Sequence, residues 1–260
     1  MSALTVFLLV VLGLQLLSIL SLVANHRSIP KITPRTPIEL PENPPKVSVI
    51  VPARNEEDNI EQCVRSLLGQ DYADFELIVV DDRSDDRTGE ILDGLARTED
   101  RLKVIHGVDP AQGWLGKNHA IYQGVGIAGG GYLLFVDADT DLDRACVSQV
   151  VNYAEYHGSD LLTIIPRLVN LTFWERLVQP AIMQMILAYF PASRINDPKY
   201  PKAASGNGPF MLFRRTAYEA IGGHEGVKAD IVEDLTLARK LKGDGFRLSY
   251  LKGIELQRLR

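Results

Sequence analysis

The chain has 260 residues, and its 33 Asp and Glu residues exceed its 28 Lys and Arg residues, giving a formal net charge of -5. This length suffices for one large domain or two small ones. An acidic average argues against a nucleic-acid partner, because phosphate backbones are bound by basic faces. The two cysteines, Cys63 and Cys146, lie far apart without metal-ligand spacing, so neither a disulfide framework nor a zinc site is predicted.

The chain begins with an apolar run over residues 4–24, whose few polar side chains are Thr5, Gln15, Ser18 and Ser21. About 20 helical residues cross a hydrocarbon core of roughly 30 Å, so residues 1–25 are predicted to form a single transmembrane anchor. No Lys or Arg precedes the run, and it is longer than a usual signal-peptide core, which favours an anchor over a cleaved signal peptide. The basic residues that follow predict a cytoplasmic location for the rest of the chain.

The six prolines of residues 26–45 predict an extended linker, and residues 46–260 are then the folded domain. The first half of this domain alternates short apolar strands with helices. Strands are predicted over residues 47–51, 75–80, 102–105 and 132–136, with helices over residues 56–68 (capped by Asn55), 88–96 and 117–128. This alternation predicts a doubly wound, mostly parallel α/β sheet, in which ligands bind at the carboxyl ends of strands.

Residues 168–190 form a largely apolar stretch with aromatic side chains near both ends, Phe173 and Trp174 at one and Tyr189 and Phe190 at the other. Such a pattern is typical of a helix that lies in the membrane interface beside an anchor. A buried core helix is the alternative.

Two acidic motifs follow predicted strands. Asp137 and Asp139 come directly after the apolar run of residues 132–136, and as neighbours but one they can converge on a single hard cation. Carboxylate oxygens suit Mg²⁺ or Mn²⁺, which keep open positions for substrate phosphates. Asp81 and Asp82 end an earlier strand and can accept hydrogen bonds from a base or from ribose hydroxyls, although they could equally be turn formers.

Lys117 opens a predicted helix after the Gly113-Trp114-Leu115-Gly116 turn, where backbone N–H groups and an ammonium can face an anion. It is therefore a candidate diphosphate ligand, unless it is an ordinary surface lysine.

Asp230 and Glu233 are arranged as a variant capping box, with Asp230 as N-cap and Glu233 reaching back to it. That arrangement gives Glu233 a structural role. Asp234 has no such structural role. A carboxylate at a helix start stays ionised and able to accept a proton. The alternative is that Asp234 is an ordinary acid of the first helical turn. Asp234 is the candidate general base.

Four motifs in order resemble glycosyltransferase family 2 over about residues 46–250: Val49-Ile50-Val51-Pro52-Ala53-Arg54-Asn55-Glu56-Glu57, Val80-Asp81-Asp82-Arg83-Ser84, Asp137-Ala138-Asp139 and Val232-Glu233-Asp234. The Gly113–Lys117 turn, the run of residues 206–210 with Arg214 and Arg215, and Gly222-Gly223-His224-Glu225 are similar to its membrane-bound branch, which glycosylates carotenoid acids, hopanoids or ceramides. The resemblance implies a GT-A nucleotide-sugar fold.

The resemblance also implies the roles of individual residues. It places Pro52, Ala53, Arg54, Glu56 and Asp81 or Asp82 around the uridine of a UDP-sugar. Asp137 would lie on the ribose side and also near the metal, Asp139 would be the main ligand of Mn²⁺ or Mg²⁺, Lys117 would approach the diphosphate, and Asp234 would deprotonate the acceptor hydroxyl. Attack opposite the leaving UDP inverts the anomeric configuration.

Two departures from the family shape the expected reaction. Gln257 and Arg260 have the spacing of the QxxRW motif of processive synthases, but no Trp follows, so transfer of one sugar is expected. Relatives in this branch carry further membrane spans after the catalytic domain, and this sequence shows none there. Either the chain is short, or acceptor binding relies on the first span and residues 168–190. The alternatives are a polysaccharide synthase of the same family and an inactive nucleotide-sugar-binding or scaffold subunit.

Overall fold

The computed structural model describes residues 2–37, 39–169, 172–174, 176–179, 185 and 192–259. Its helices are α1 (Ala3–Ser28), α2 (Ile60–Leu68), α3 (Thr88–Ala96), α4 (Gly116–Ile127), α5 (Cys146–His157), α6 (Ala192–Ile195), α7 (Arg215–Ala220) and α8 (Glu233–Gly243), with a 3₁₀ turn at Glu225–Val227. Its strands are β1 (Val47–Ala53), β2 (Phe75–Asp81), β3 (Leu102–His106), β4 (Tyr132–Val136), β5 (Thr140–Leu142), β6 (Leu161–Ile165), β7 (Arg167–Leu168), β8 (Phe210–Arg214), β9 (Leu248–Lys252) and β10 (Gln257–Leu259).

A seven-stranded sheet forms the centre of the domain, in the order β3-β2-β1-β4-β8-β6-β9. Its described neighbours pair in parallel except at β8, which runs antiparallel to both β4 and β6. A second, three-stranded sheet has the order β5-β10-β7. The predicted doubly wound, mostly parallel fold is therefore confirmed.

Helices cover both faces of the central sheet, so its inner strands β1, β2 and β4 are buried along almost their whole length. Every residue of β2 is buried, including the final Asp81. On one face Val49 and Val51 of β1 pack with α2, α3 and α5, and on the other Ile50 packs with α4, α7 and α8. The carboxyl ends of β1, β2 and β4 are left to meet solvent at one edge, which is where the predicted acidic motifs begin.

The first helix, α1, is long and apolar enough to cross a membrane, and most of its described large apolar side chains are exposed to more than 40%. The residues that follow α1 pack against the folded domain. Ile29 and Ile32 are buried, the Ile32 N–H donates to the Lys252 carbonyl at 3.0 Å, and Lys31 pairs with Glu255 at 2.6 Å. The start of the predicted linker thus packs on the domain, whereas the predicted boundaries at residues 25 and 45 stay predictions.

The predicted start of the first helix of the domain is wrong. Asn55 was expected to cap a helix from residue 56, but α2 begins at Ile60. Asn55 has a φ of 56°, and its side-chain oxygen accepts the Asp85 N–H at 2.9 Å. The long-range contact with the β2–α3 loop replaces the local cap, and the chain makes one extra turn at the cavity edge before the helix starts.

The predicted membrane-interface segment, residues 168–190, lies largely outside the described residues. Two of its described side chains, Phe173 and Trp174, are exposed to 71% and 69%. Their rings contact each other edge to face, with centroids 5.4 Å apart.

Candidate active site

A cavity of about 380 Å³ opens at the carboxyl ends of β1, β2 and β4. Its position agrees with the rule that doubly wound sheets bind ligands beyond the ends of their parallel strands. The lining residues are Pro52, Ala53, Arg54, Glu56, Asp82, Gly116, Lys117, Asp137, Ala138 and Asp139. With the exception of Asp81 and Asp234, the structure therefore brings all the predicted site residues together around one cavity.

Asp81 and Asp82 have different surroundings although they are adjacent. Asp82 lines the cavity, is buried and pairs with Arg83 at 3.0 Å. A Cβ added to Gly116 would lie 2.5 Å from an Asp82 carboxylate oxygen, so the start of α4 closely approaches this side chain. Asp81 instead accepts the Ser84 N–H at 3.1 Å and lies 3.4 Å from the His106 ring.

Lys117 joins two acidic elements across the cavity. Its ammonium lies 2.8 Å from the Asp137 carboxylate and 3.6 Å from that of Glu233. Burial disfavours the charged ammonium, but the attraction of Asp137 and Glu233 outweighs it and raises the pKa of Lys117. The lysine therefore carries a positive charge beside the acidic residues that end β4 and begin α8.

Asp139 has a carboxylate oxygen without a hydrogen-bond partner within the residues that the structure describes. Its Oδ1 atom is buried and has no hydrogen-bond partner among the described residues. Burial, followed by repulsion from Asp137 and Glu56, raises the pKa of Asp139 to about 6. A cation near this carboxylate would supply the missing partner and favour the ionised form.

The charges around the cavity fit a divalent metal together with a diphosphate. Four carboxylates line it, from Glu56, Asp82, Asp137 and Asp139, against the two cations Arg54 and Lys117. Such a surface would repel an anionic diphosphate unless a cation lay between them. Among the described residues no three His, Cys, Asp or Glu side chains converge as a metal site, but the two ligands that the sequence predicts, Asp137 and Asp139, both line the cavity. Few protein ligands suit Mg²⁺ or Mn²⁺ whose remaining positions are filled by phosphates and water.

Asp234 lies in the first turn of α8, next to a glycine-containing loop. One carboxylate oxygen accepts the Gly208 N–H at 2.9 Å. A Cβ added to Gly208 would lie 3.4 Å from Asp234 and 3.7 Å from the Lys117 ammonium, so these two side chains face the same glycine. Asp234 does not line the cavity itself but lies beside Lys117, which does.

The predicted capping box is wrong. The helix α8 begins at Glu233, its N-cap is Val232, and no side chain caps it. The Glu233 carboxylate lies 3.6 Å from the Lys117 ammonium instead of bonding back to Asp230. Burial raises the pKa of Glu233 despite the attraction of the lysine. Glu233 was thus missed as a site residue, because the local spacing offered it a cap and the partner is 116 positions away in the chain.

Asn118 was also missed. Its buried carboxamide donates to the carbonyls of Val227 and Asp230 at 3.0 and 3.1 Å, and lies 3.4 Å from that of Lys228. These bonds hold the start of α4 against the loop that leads to Glu233 and Asp234. No specific signal for it is present in the sequence, since the same helix also carries the polar residues His119 and Gln123.

His224 has a structural environment. It is 2% exposed, and its backbone N–H donates to the Tyr218 hydroxyl at 2.9 Å. The Tyr218 hydroxyl also lies 2.8 Å from His224 Nδ1, within hydrogen-bond distance. Burial, followed by repulsion from Lys117, lowers the pKa of His224 to about 3, so the ring is neutral.

Known proteins are similar to this chain in sequence and in fold. A family model described as Glycosyl transferase family 2 matches residues 48–222. The chain belongs to glycosyl transferase family 2. The expectation of this family from the four motifs is confirmed.

Among its relatives in this family are 4,4'-diaponeurosporenoate glycosyltransferases of Staphylococcus aureus. That of strain bovine RF122 / ET3-1 is 29% identical over 214 residues, which cover 81% of this chain and 55% of the relative. That of strain MRSA252 is 30% identical over 210 residues, which cover 80% and 54%. The chain thus spans about half the length of the curated relatives it matches.

Solved family structures have the same fold. The mannosyltransferase PcManGT from Pyrobaculum calidifontis, in complex with GDP-Man and Mn²⁺, superposes with a TM-score of 0.66 at 20% identity over 93% of this chain and 64% of that one. TarS 1-349 of S. aureus, in complex with UDP-GlcNAc, gives a TM-score of 0.57 at 23% identity over 82% and 58%. These neighbours have the GT-A fold, and so does this chain.

Proposed function

We propose that this glycosyltransferase transfers one sugar from a UDP-sugar to a lipid hydroxyl, with inversion, and that Asp234 is the general base. The observation that carries the proposal is the placement of Asp234 beside Lys117 at the edge of the strand-end cavity, with its carboxylate oriented by the Gly208 N–H. A base here can receive the proton of an acceptor that approaches from outside the cavity.

The donor nucleotide is proposed to occupy the side of the cavity formed by β1 and β2. Pro52, Ala53, Arg54, Glu56 and Asp82 line that side, in agreement with the uridine-binding roles that the family resemblance implies. Asp81 acts from behind them, through the loop whose Ser84 N–H it accepts. Solved neighbours bind GDP-Man or UDP-GlcNAc, and both are nucleotide sugars.

The diphosphate is proposed to lie between Lys117 and the acids that follow β4. Asp139 would be the main metal ligand, since its Oδ1 lacks a partner, and Asp137 would orient Lys117 and complete the metal's ligands. A bound Mn²⁺ or Mg²⁺ would neutralise charge on the departing diphosphate. Lys117 contributes a second positive charge on the same path, so UDP can leave without protonation.

A lipid acceptor is proposed for three reasons. The relatives described as 4,4'-diaponeurosporenoate glycosyltransferases have a carotenoid acid in their name. In this chain α1 has the length and composition of a membrane span, and Phe173 and Trp174 present exposed aromatic rings. The acceptor class is a hopanoid, carotenoid or sphingolipid-like molecule, and the enzyme would act from the cytoplasmic side of the membrane.

The test is the Asp234→Asn variant of the full chain, assayed in membranes with radiolabelled UDP-sugars and extracted lipids. Loss of the base should lower kcat by about 10²- to 10⁴-fold, because general-base catalysis typically contributes this much. UDP affinity should change little, since Asp234 does not line the cavity. Asp230→Asn is the matched control, because it removes a charge from the same loop and should leave transfer intact.

The proposal fails if Asp234→Asn transfers sugar as fast as the parent. Product length in the same assay separates single transfer from polymer synthesis: one added sugar supports the proposal, and a ladder of sugars would favour the processive alternative. If the parent binds UDP but neither transfers nor hydrolyses any UDP-sugar, the chain is instead a nucleotide-sugar-binding subunit.

A further inference from the structure

Lys242, in the last turn of α8, is a buried cation outside the cavity. Its residue is 4% exposed, and its ammonium donates to the carbonyls of Arg194 at 2.8 Å, Ile195 at 2.6 Å and Ala203 at 2.8 Å. A lysine ammonium has three protons to donate, so three carbonyls saturate it. Burial of such a group costs free energy, and it lowers the pKa of Lys242 against a weaker attraction from Asp197.

These three carbonyls belong to two separate places. Arg194 and Ile195 end the short helix α6, where C-terminal carbonyls can accept from a cation, and Ala203 begins the loop that leads to Gly206 and Gly208. A nonpolar side chain could fill the same space but could not hydrogen-bond to the three carbonyls. The ammonium therefore fastens α6 and this loop to the C-terminal end of α8.

The two elements that Lys242 holds, α6 and the loop after Ala203, contact the candidate membrane span and the backbone of the proposed base, respectively. On one side α6 packs against α1, the candidate membrane span. On the other, a Cβ added to Gly206 would lie 2.5 Å from the Asp234 carbonyl, so the loop after Ala203 rests on the backbone of the proposed base. Lys242 and Asp234 are eight positions apart on α8, roughly 12 Å at 1.5 Å per residue.

We propose that Lys242 is a positioning residue that sets the membrane-side segment of residues 192–203 relative to Asp234, and so aligns the lipid acceptor with the base. The inference rests on the proposed function. A lipid stays in the bilayer, so it must reach Asp234 from the side where α1 meets the domain. A rigid tie between that side and α8 fixes the approach, and small misplacements of reacting groups are costly.

The experiment compares Lys242→Met and Lys242→Arg with the parent in membranes, measuring the acceptor KM, kcat and UDP affinity. Lys242→Met should raise the acceptor KM and lower kcat, changing kcat/KM for acceptor by about 10²-fold, which is the cost of an error of about 1 Å in alignment. UDP affinity should stay within about twofold, since Lys242 is about 12 Å along α8 from Asp234 and lines no part of the cavity. Lys242→Arg keeps the cation and should recover most of the loss.

Lys103→Met is the matched control. It also removes a lysine from a buried partner, the Glu76 carboxylate at 2.7 Å, but at the β3 edge of the sheet. General destabilisation should lower the active fraction of both Met variants, measured as UDP-binding stoichiometry, without changing the acceptor KM. If Lys242→Met and Lys103→Met have the same acceptor KM as the parent, or if Lys242→Arg gives no recovery, the inference is overturned.

Hydrogen exchange on the full chain gives a second measurement that does not need activity. Amides of residues 192–204 should exchange faster in Lys242→Met, or in the equally uncharged Lys242→Gln if the Met variant does not fold, than in the parent and in Lys242→Arg, while those of β1 stay protected. Unchanged exchange in residues 192–204 would contradict the tie. A parent without transfer activity would contradict the proposed function, whereas an active parent with an unaffected Lys242→Met would contradict this inference alone.

Discussion

Asp137 and Asp139 are two residues apart, yet the structure gives them unequal surroundings. Asp137 is paired with Lys117 at 2.8 Å, whereas the buried Oδ1 of Asp139 lacks a partner in the described part of the chain. The spacing of the motif predicted only that both carboxylates can converge on one cation. The surroundings favour Asp139 as the position at which a metal matters most.

Replacement of Asp139 by Ala should therefore separate metal-dependent from metal-independent donor binding. UDP affinity in the presence of Mn²⁺ should fall by at least about tenfold, because even changes outside the direct ligands of a metal cost about 10- to 100-fold in metal affinity. Affinity without metal should be unchanged or higher, since a repelling carboxylate is gone. Calorimetry with and without Mn²⁺ measures both, and Asp141→Ala, which does not line the cavity, is the control.

Equal UDP affinities with and without metal, in the parent as well as in Asp139→Ala, would refute the metal-ligand assignment. The nucleotide-binding residues of β1 could still be correct in that case, because they contact a different part of the proposed donor.

At the scale of elements, the site depends on how closely the loop between α6 and β8 approaches α8. A methyl group added at Gly206 would lie 2.5 Å from the Asp234 carbonyl oxygen, which is a backbone atom and cannot rotate away. Gly206→Ala should displace the start of α8 and lower kcat by about 10²-fold, as a shift of about 1 Å at reacting groups can do. UDP affinity, measured by calorimetry, should be retained.

Gly126→Ala is the matched control for that change. Gly126 lies within α4, and an added Cβ would meet nothing within 4 Å. Alanine is the better helix former, so this variant should be as active as the parent and equally or more stable. If Gly206→Ala is as active as Gly126→Ala, the close approach has no role in catalysis.

The element order was predictable from the sequence because buried parallel strands are continuous apolar runs. The strands predicted over residues 75–80 and 132–136 match β2 and β4 within one residue. Helix starts were less predictable. Asn55 and Glu233 both had local capping signals, and in both cases a distant partner, Asp85 or Lys117, took the side chain. Lys242 gave no signal, since its carbonyl partners come together only in the fold.

At the scale of the whole molecule, two segments are proposed to contact the membrane: α1 and residues 168–190. The described part contains α1 as a candidate span, and Phe173 and Trp174 as exposed aromatic residues. A chain that lacks residues 1–25 should still float with liposomes if residues 168–190 lie in the membrane interface, as proposed. Phe173→Ser with Trp174→Ser should then abolish flotation. Failure of the truncated chain to float would assign that segment to the domain core.

The central claim, direct displacement of UDP with Asp234 as base, is tested most directly by the configuration of the new glycosidic bond. With a UDP-sugar whose sugar is α-linked, attack from the opposite face must give a β-linked lipid product. The anomeric proton coupling in the NMR spectrum of the purified glycolipid measures this for a gluco- or galacto-configured sugar. A β-linked product is predicted, and an α-linked product would contradict the account.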